Sequence, residues 1–547
     1  MKYPKENHKT TNPEFISSRF IQVIVFLGIL SIVSSCKPGS DNEKRLPFVL
    51  KVSVNDSSDQ GYFILNWKMA EQRLGSVILE HADIMIKDLN NDEILIPDVI
   101  DTDNDHSPDY LRVRTLLSNE EPLRPFELIV REIPKSRLLL KHDSVPASNE
   151  VSIEFLNKSD TRTLTSYYEN SWAKAISETV LTTYTDPAHL EIFAPTEWTY
   201  SNGFFLNGLC YFDEITGEEK YLDYVRQWMD LFVRDDGSMD TVKYNRQKYR
   251  LDDVLPGRSL LYLYEKTKDE KYLKAAEELL GQIKHQPRTS EGGYWHKKIY
   301  EWQMWLDGIY MSDVFMLQYA SLLNKPQYYD EAIFQMKLIY KHTLDTVTGL
   351  LYHGWDESKS AIWANPATGR SPEFWGRGMG WYMMALVDAL DYIPESHPGR
   401  GDILDMLKQV SGSIMKYQDQ ETGLWYQVID KADKDGNWPE TSCTAMFAYS
   451  FLKAYKKGYL PVLFKNSAYK AYEGLKKGYI YFDDSGKLYL TGTVKVGTLN
   501  VEVSNGSFEY YVSVDRRVND FKGIGALLYL AIADEYLENL NTENDGL

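Results

Sequence analysis

The stretch Asp419-Gln-Glu-Thr-Gly-Leu-Trp-Tyr426 is one copy of a turn that recurs through the second part of the chain. Each copy begins with an acidic residue, reaches a glycine within four positions and then continues into large apolar side chains. Successive glycines lie 56 to 74 residues apart, an interval that holds two helices and two connections. The repeating unit is therefore predicted to be a helical hairpin. The glycines are Gly237, Gly293, Gly349, Gly423 and Gly486.

Helical periodicity surrounds these turns from about residue 164 onward, for example over 272–285 and 380–393. A helical hairpin cannot bury both of its faces alone, so about six hairpins must stack as an open solenoid or a closed ring. The uneven turn spacing, and the Asp, Gly and Trp residues that recur at one kind of turn, favour the ring. We predict a mainly α chain with a catalytic (α/α)6 toroid over residues 161–547, and a site where these turns converge.

The preceding segment, residues 46–160, has a period of two instead. Runs such as Gly61-Tyr-Phe-Ile-Leu-Asn-Trp67 alternate or are apolar and are separated by polar clusters, which predicts a small antiparallel β-sandwich-like domain. Within it, Asp101, Asp103, Asp105 and Asp109 have the spacing of a calcium loop. The match is partial, because a histidine replaces the turn glycine. Either structural calcium or a solvated acidic turn fits.

Residues 1–36 are predicted to be a lipoprotein signal segment. Basic residues precede the apolar run 20–33, which is too short to favour spanning a bilayer. The run ends in Val33-Ser-Ser-Cys36, which resembles a bacterial lipobox with Cys36 as the lipidated residue. The alternative is an unprocessed membrane anchor. With a polar tether at 37–45, this predicts an exported lipoprotein in the periplasm or outer membrane, attached through its N-terminal lipid.

Composition limits the classes of partner. The formal net charge of −19 over 547 residues disfavours nucleic acid as the main ligand. A content of 13 Trp and 39 Tyr fits both core packing and a surface that handles carbohydrate. Cys210 and Cys443 lie in apolar helical segments and are predicted to be buried free thiols, not a disulfide or a metal pair.

The stretch His296-Lys-Lys-Ile-Tyr-Glu-Trp-Gln-Met-Trp-Leu-Asp307-Gly-Ile-Tyr-Met311 contains the strongest catalytic candidate. It places the Asp307 carboxylate among tryptophans and methionines, where an ionised carboxyl is poorly solvated. Such surroundings favour the protonated acid and let the group both give and take a proton. Aromatic rings beside a carboxylate also suit sugar recognition. The alternative is that Asp307 merely caps a helix.

A second candidate segment is Trp375-Gly-Arg377-Gly-Met-Gly-Trp381. Glycines at the start of a helix let the chain turn tightly or let a ligand approach, and Arg377 is placed to bind an anion through two hydrogen bonds. The alternative is a packing turn in which Arg377 pairs with a structural carboxylate. His353 lies in a Gly- and Trp-rich copy of the repeated turn, so it is either a ligand-binding or a structural histidine.

Over residues 165–537 the sequence resembles the unsaturated rhamnogalacturonyl hydrolases of glycoside hydrolase family 105, relatives of the unsaturated glucuronyl hydrolases of family 88. One departure from the family pattern is Glu301, where a proline or a small polar residue is expected. The resemblance rests on strings that occur in one order: Trp198-Thr-Tyr200, Leu251-Asp252-Asp253, Gly293-Tyr-Trp-His296-Lys297, Gln303-Met-Trp305-Leu-Asp307-Gly-Ile-Tyr-Met311, His353-Gly-Trp355, Trp375-Gly-Arg377-Gly-Met-Gly-Trp381, Glu440-Thr-Ser-Cys-Thr444-Ala and Asn519-Asp-Phe-Lys522-Gly523.

The resemblance implies an (α/α)6 barrel in which Asp307 is the catalytic acid and base and Asp252 is the second active-site carboxylate. Asp252 is preferred to Asp253 by its register against Asp307. Residues implied to bind the substrate are Tyr200, His296, Trp305, His353, Trp375, Arg377 and Trp381.

The substrates that the resemblance implies are oligosaccharides released by polysaccharide lyases, which end in a 4,5-unsaturated uronic acid. Asp307 would protonate C4 of the vinyl ether, and water would add at C5 and return a proton to Asp307. The resulting hemiketal opens and releases the rest of the oligosaccharide. Arg377 and His353 would meet the uronate carboxylate, and no metal or organic cofactor is needed.

Two other functions compete with this interpretation. The first is an ordinary glycosidase on the same toroid, with Asp252 and Asp307 as its carboxylate pair. The second is a surface carbohydrate-binding lipoprotein that keeps the fold without turnover.

Overall fold

The computed structural model describes most of the chain from Tyr168 onward and a set of strands before it. The predicted signal segment with Cys36, and the predicted calcium loop with Asp101, Asp103, Asp105 and Asp109, lie outside the described residues. The described residues are 43–51, 62–66, 82–88, 94–95, 97–100, 110–114, 123–132, 157–158, 164, 168–190, 197–483, 485–500 and 502–538.

Twelve helices of ten or more residues dominate the described part of the chain. Capping side chains define several of their starts, as Ser171 and Thr199 do by accepting hydrogen bonds from backbone N–H groups of the first turn. The helices are α1 (Trp172–Thr183), α2 (Tyr200–Thr216), α3 (Glu219–Met229), α4 (Gly257–Thr267), α5 (Glu270–Lys284), α6 (Val314–Leu323), α7 (Gln327–Thr343), α8 (Gly376–Tyr392), α9 (Arg400–Met415), α10 (Thr441–Lys456), α11 (Val462–Gly478) and α12 (Phe521–Glu535).

The even-numbered helices form a closed inner ring. Each packs against the next even-numbered helix, and α12 packs against α2. The odd-numbered helices lie outside: each packs on the even-numbered helix before it, and α1 packs on α12. Burial follows this arrangement, since every residue of α10 is buried, whereas α9 alternates between buried and exposed positions. The contact between α12 and α2 confirms the toroid and excludes an open solenoid.

The recurring glycine turns all lie on connections from an outer helix to the next inner helix. Four of the predicted glycines have positive φ, as the turn requires. In the second copy the positive φ belongs to Gly292 (98°) and not to Gly293, so the predicted turn position was wrong by one residue. These turns precede the N-termini of the inner helices and bring their loops to one end of the ring.

The interior of the ring also carries buried charges. Asp388 of α8 accepts hydrogen bonds from Lys453 Nζ and Tyr449 Oη, both at 2.7 Å. The Arg258 guanidinium of α4 lies 3.5 Å from the same carboxylate. Because the three charged groups come from three inner helices and are hydrogen-bonded, they offset one another's desolvation across the ring.

Two of the three glycines in the Trp375–Trp381 segment serve helix packing. A Cβ atom at Gly376 would lie 2.8 Å from Cys443 Sγ, and one at Gly380 would lie 2.7 Å from Met446 Sδ. Cys443 and Met446 both belong to α10, so glycine lets α8 approach α10 closely. At Gly376 and Gly380 the glycine allows close helix–helix contact, whereas a Cβ atom at Gly378 would lie 3.0 Å from His353 Cδ2.

Strands precede the toroid. A four-stranded antiparallel sheet has the order β1 (Glu43–Lys51), β7 (Leu123–Glu132), β3 (Ala82–Asp88) and β4 (Ile94–Leu95). A three-stranded antiparallel sheet has the order β2 (Tyr62–Asn66), β6 (Tyr110–Arg114) and β5 (Asp98–Ile100). Strand β1 begins inside the predicted tether 37–45. The division into a separate β-sandwich-like domain stays a prediction.

Two further findings concern the described residues only. Cys210 and Cys443 are buried free thiols, which confirms their predicted state. Within the described ranges, no helix is long and apolar enough to cross a bilayer.

Candidate active site

Asp307 lies where a short strand turns into an inner helix. Strand β8 (Gln303–Trp305) pairs antiparallel with β9 (Gly354–Asp356), and the Leu306 N–H donates to the His353 carbonyl at 3.0 Å. Asp307 then occupies one helical turn, which is followed by a π-helical turn over Ile309–Asp313 before α6 begins. Single π-turns inside helices recur at functional sites. The carboxyl is thus held by two segments of backbone.

One oxygen of Asp307 is bound to a histidine. His353 Nε2 lies 2.9 Å from Asp307 Oδ2, and His353 Nδ1 lies 2.6 Å from the Tyr511 hydroxyl. His353 is fully buried, whereas the Asp307 side chain is 14% exposed. Both nitrogens of His353 are therefore occupied by protein groups. The structure places His353 behind the carboxyl, in contrast to the expected direct contact with the substrate's carboxylate.

The second carboxylate, Asp252, belongs to a separate charge cluster. Lys297 Nζ lies 2.7 Å from Asp252 Oδ2, and His296 Nε2 lies 3.3 Å from Asp252 Oδ1. Asp253 points elsewhere, with Arg250 Nε 3.7 Å from its carboxylate. The structure therefore places Asp252, and not its neighbour, beside the His296 stretch.

Burial and charge fix the protonation of this cluster. Burial opposes the charge of Asp252, but the Lys297 ammonium overcomes it and lowers the pKa of Asp252 to about 2. Burial lowers the pKa of His296 to about 4, although the Asp252 charge acts in the opposite direction. At neutral pH the site therefore holds an ionised Asp252 and a neutral His296.

An aromatic stack forms one wall of the site. The Trp305 ring is nearly parallel to the ring of His296, at 4.4 Å, and to the ring of Tyr300, at 4.8 Å, with interplanar angles of 16° in both cases, and the His296 and Tyr300 rings are 6.4 Å apart. Trp305 also tilts against His353. Because Trp305 contacts both histidines, the stack holds the Asp252–His296 pair and the Asp307–His353 pair at a fixed separation.

Tyr200 stands at the first position of α2 and is surrounded by charged groups. Arg377, Asp252, Asp520 and Asp307 all act electrostatically on its hydroxyl, and burial raises its pKa. Charged residues from the start, the middle and the end of the toroid therefore act electrostatically on one phenol. These charged groups lie at or just before the N-termini of inner helices, where the site is predicted.

Arg377 and the two tryptophans are more buried than predicted. Arg377 Nη1 donates to the Val494 carbonyl at 2.5 Å, and Nη2 donates to the Lys495 carbonyl at 3.1 Å. Backbone carbonyls, and not the structural carboxylate that was the alternative partner, accept these two bonds. Trp375 and Trp381 are each 1% exposed, which makes them packing residues of the site wall.

Sequence reasoning missed three residues that the structure brings to the site. Lys297 follows His296 directly, so its place in the motif was the available signal. Lys522 forms a 2.7 Å ion pair with Asp520 close to Arg377. Tyr511 lies in a short helix, Phe508–Ser513, that no motif marked. Among the described residues no group of His, Cys, Asp and Glu side chains has the arrangement of a metal site.

Comparison with known proteins assigns the family. The sequence model of Glycosyl Hydrolase Family 88 matches residues 172–538, the whole toroid. The chain belongs to this family. It is a glycoside hydrolase of the unsaturated uronyl class, as the Asp307 and Asp252 motifs implied.

Several known proteins are similar to this glycoside hydrolase. A family 105 glycoside hydrolase structure from C. acetobutylicum is 35% identical, and the alignment covers 67% of this chain and 99% of that one with a TM-score of 0.64. Protein Atu3128 of Agrobacterium fabrum is 34% identical over 41% of this chain and 97% of its own length. Unsaturated rhamnogalacturonyl hydrolase YesR of Bacillus subtilis is 27% identical over 47% of this chain and 71% of its own.

Proposed function

We propose that this hydrolase removes 4,5-unsaturated uronic acid from the non-reducing end of lyase-generated oligosaccharides, and that rhamnogalacturonan fragments are its substrates. The likeness to YesR supports the substrate class. The single observation that carries the chemistry is the pairing of a partly exposed Asp307 with His353, beside an Asp252 that is already neutralised by Lys297.

The reaction uses one carboxyl twice. Asp307 gives its proton to C4 of the vinyl ether, and positive charge develops at C5 and the ring oxygen. Water adds at C5 and returns one proton to Asp307, so that H and OH are added across the double bond. The hemiketal then opens and releases the aglycone. Proton transfer by a positioned carboxyl supplies about 10²–10⁴-fold in rate.

The charges around the site suit an anionic sugar. Lys297 and Lys522 each pair with an aspartate of the site, whereas Arg377 has no carboxylate partner among the described residues and donates to backbone carbonyls instead. Local cations in a cleft attract an anion despite a negative overall charge. A uronate fits this field better than a neutral sugar does.

The geometry argues against an ordinary two-carboxylate glycosidase. Such an enzyme needs one carboxylic acid and one carboxylate with an oxygen free for water or for the sugar. Asp252 has a pKa of about 2, and both of its oxygens already face Lys297 and His296. It is therefore neither a proton donor nor a free nucleophile, and Asp307 is the group that remains for acid–base work.

The decisive experiment offers lyase-generated unsaturated oligosaccharides and their saturated counterparts side by side. Hydration removes the ultraviolet absorbance of the vinyl ether, whereas simple hydrolysis leaves it. We expect absorbance loss with the unsaturated substrates only, fastest with rhamnogalacturonan fragments. Cleavage of saturated substrates with the absorbance retained would contradict the proposal.

Asp307→Asn should lower kcat by about 10²–10⁴-fold, because the amide can neither donate nor accept the catalytic proton. The matched control is Asp330→Asn on α7, whose carboxylate is 80% exposed. Initial rates of absorbance loss measure both variants. If Asp307→Asn keeps its activity, the carboxyl has another role; if wild type binds the oligosaccharide without turnover, the chain is a binding protein.

A further inference from the structure

Tyr511 is the only described residue besides Asp307 that hydrogen-bonds to the His353 ring. Its hydroxyl lies 2.6 Å from Nδ1, across 158 residues of sequence. Tyr511 is fully buried, and its ring stacks on Trp375 at an interplanar angle of 11°. The contact therefore lies in the protein interior, on the side of His353 that faces away from Asp307.

The position of Tyr511 is fixed through its backbone. Gln427 Nε2 donates to the Tyr511 carbonyl at 3.0 Å, and Gln427 Oε1 accepts from Trp375 Nε1 at 3.1 Å. The tyrosine and the tryptophan on which it stacks are thus tied to one buried amide. This support holds the Tyr511 hydroxyl within hydrogen-bonding distance of the imidazole.

The direction of the hydrogen bond between Tyr511 and His353 follows from the partners available to the Tyr511 hydroxyl. Within the described part of the chain, His353 Nδ1 is the only hydrogen-bond partner of the Tyr511 hydroxyl. If Nδ1 carried the proton, the buried O–H of the tyrosine would have no acceptor, which is costly in an apolar site. Burial also raises the pKa of Tyr511, so the phenol keeps its proton. The phenol therefore donates to Nδ1.

A donor at Nδ1 has a consequence at the other end of the ring. The neutral imidazole then carries its proton on Nε2, which donates to Asp307 Oδ2. Oδ2 therefore accepts the hydrogen bond from Nε2. In the acid form of Asp307 the carboxyl proton is then on Oδ1. No hydrogen bond is made by Oδ1 to any other described residue, and the side chain is 14% exposed.

We propose that Tyr511 is a positioning residue that sets the tautomer of His353 and thereby places the catalytic proton of Asp307 on Oδ1. This inference rests on the proposed function. In the forward step the Oδ1–H bond breaks and a C4–H bond forms, while Oδ2 keeps its hydrogen bond from Nε2. In the second step water gives its oxygen to C5 and one proton back to Oδ1. His353 and Tyr511 gain and lose no proton in either step.

The first test reads the tautomer directly and needs no turnover. The full chain is labelled with ¹⁵N-histidine, and the His353 resonances are assigned by their loss in His353→Gln. We expect a protonated Nε2 and an unprotonated Nδ1 near neutral pH. Protonation at Nδ1 in the wild-type protein would overturn the inference even if the enzyme hydrates unsaturated oligosaccharides. Failure of the hydration assay, with the Nε2 tautomer seen, would count against the proposed function alone.

The second test is Tyr511→Phe, which removes the donor and keeps the ring. We expect kcat to fall about ten- to a hundredfold with KM within about twofold, because a histidine in the wrong tautomer misplaces the proton. The matched control is Tyr510→Phe, whose hydroxyl accepts from the Thr498 N–H at 2.9 Å and does not touch His353. We expect the control to keep wild-type kcat and the wild-type His353 spectrum.

Unchanged kcat in a folded Tyr511→Phe protein would overturn the inference, as would an unchanged His353 tautomer in that variant. If Tyr511→Phe does not fold, the wild-type spectrum still decides, since the position of the proton is read without the variant.

Discussion

Asp252 and Asp307 have the same side chain and are placed in opposite environments. Asp252 is bonded through both oxygens to Lys297 and His296, so its ionised form is favoured. Among the described residues, Asp307 is hydrogen-bonded through one oxygen, to a histidine that is itself held by Tyr511. Two carboxylates with separated environments can take separate roles, one as a fixed charge and one as the proton carrier.

His296 makes this arrangement dependent on pH. Burial lowers its pKa from 6.5 to about 4, so the folded protein holds it neutral, whereas the unfolded chain protonates it near pH 6.5. Protons then favour the unfolded state between these values, and stability falls as the pH drops from about 6.5 to about 4. The shift corresponds to about 3 kcal/mol.

His296→Gln should remove this loss of stability on acidification. The free energy of unfolding of the variant should change less between pH 7 and pH 4.5 than that of the wild type. Urea unfolding at the two pH values measures the difference. The control is His285→Gln, an exposed histidine at the end of α5. A pH dependence that is equal in wild type and His296→Gln would contradict the argument.

At the residue scale, the sequence predicted the groups that lie within one motif. Asp307, His296 and Trp305 occupy one stretch, and the structure stacks the latter two directly. Contacts between distant segments were not predictable, because no local pattern encodes the meeting of Tyr511 with His353. The burial of Arg377 depends in the same way on carbonyls more than a hundred residues away, at Val494 and Lys495.

At the scale of elements, glycine determines how closely the inner helices approach. Gly376 begins α8, and a Cβ atom there would lie 2.8 Å from Cys443 Sγ and 3.1 Å from the Tyr426 carbonyl oxygen. The backbone oxygen cannot move aside as a flexible side chain can. The sequence did not show which partner approaches Gly376, because a close approach to a ligand and a close approach to a helix require the same residue.

Gly376→Ala should therefore lower the free energy of unfolding by about 1–3 kcal/mol through overpacking. Gly412→Ala is the matched control, since it lies inside α9 and a Cβ atom there meets nothing within 4 Å. Helix propensity alone should make the control more stable by about 0.5–1 kcal/mol. Urea denaturation of both variants measures the direction of each change in the free energy of unfolding. Equal effects would show that packing against α10 does not decide the position.

At the scale of the whole molecule, the toroid is defined by a single closure. Repeat spacing predicted the hairpins and the end of the ring that carries the site, since each turn is local in sequence. Closure was favoured by the uneven turn spacing and implied by the family resemblance, and it is confirmed; periodicity alone could not establish it, because closure joins the last helix to the first two. In the structure α12 packs against both α1 and α2, and this contact turns a stack of hairpins into a ring with an interior.

Glu535, near the end of α12, stabilises the contact between α12 and α1 that closes the ring. Its carboxylate accepts a hydrogen bond from the Trp172 N–H at 2.6 Å and another from the Ser171 hydroxyl at 2.7 Å, so it caps the N-terminus of α1. Removing such a cap leaves helix N–H groups without their partner, which costs about 1–2 kcal/mol.

Glu535→Ala should lower the free energy of unfolding by that amount, and should speed hydrogen exchange in α1 while leaving α6 unchanged. Glu265→Ala, an exposed carboxylate in α4, is the control and should change neither quantity. If exchange in α1 and α6 rises equally in Glu535→Ala, the carboxylate supports the whole fold and not the joint between its first and last helices.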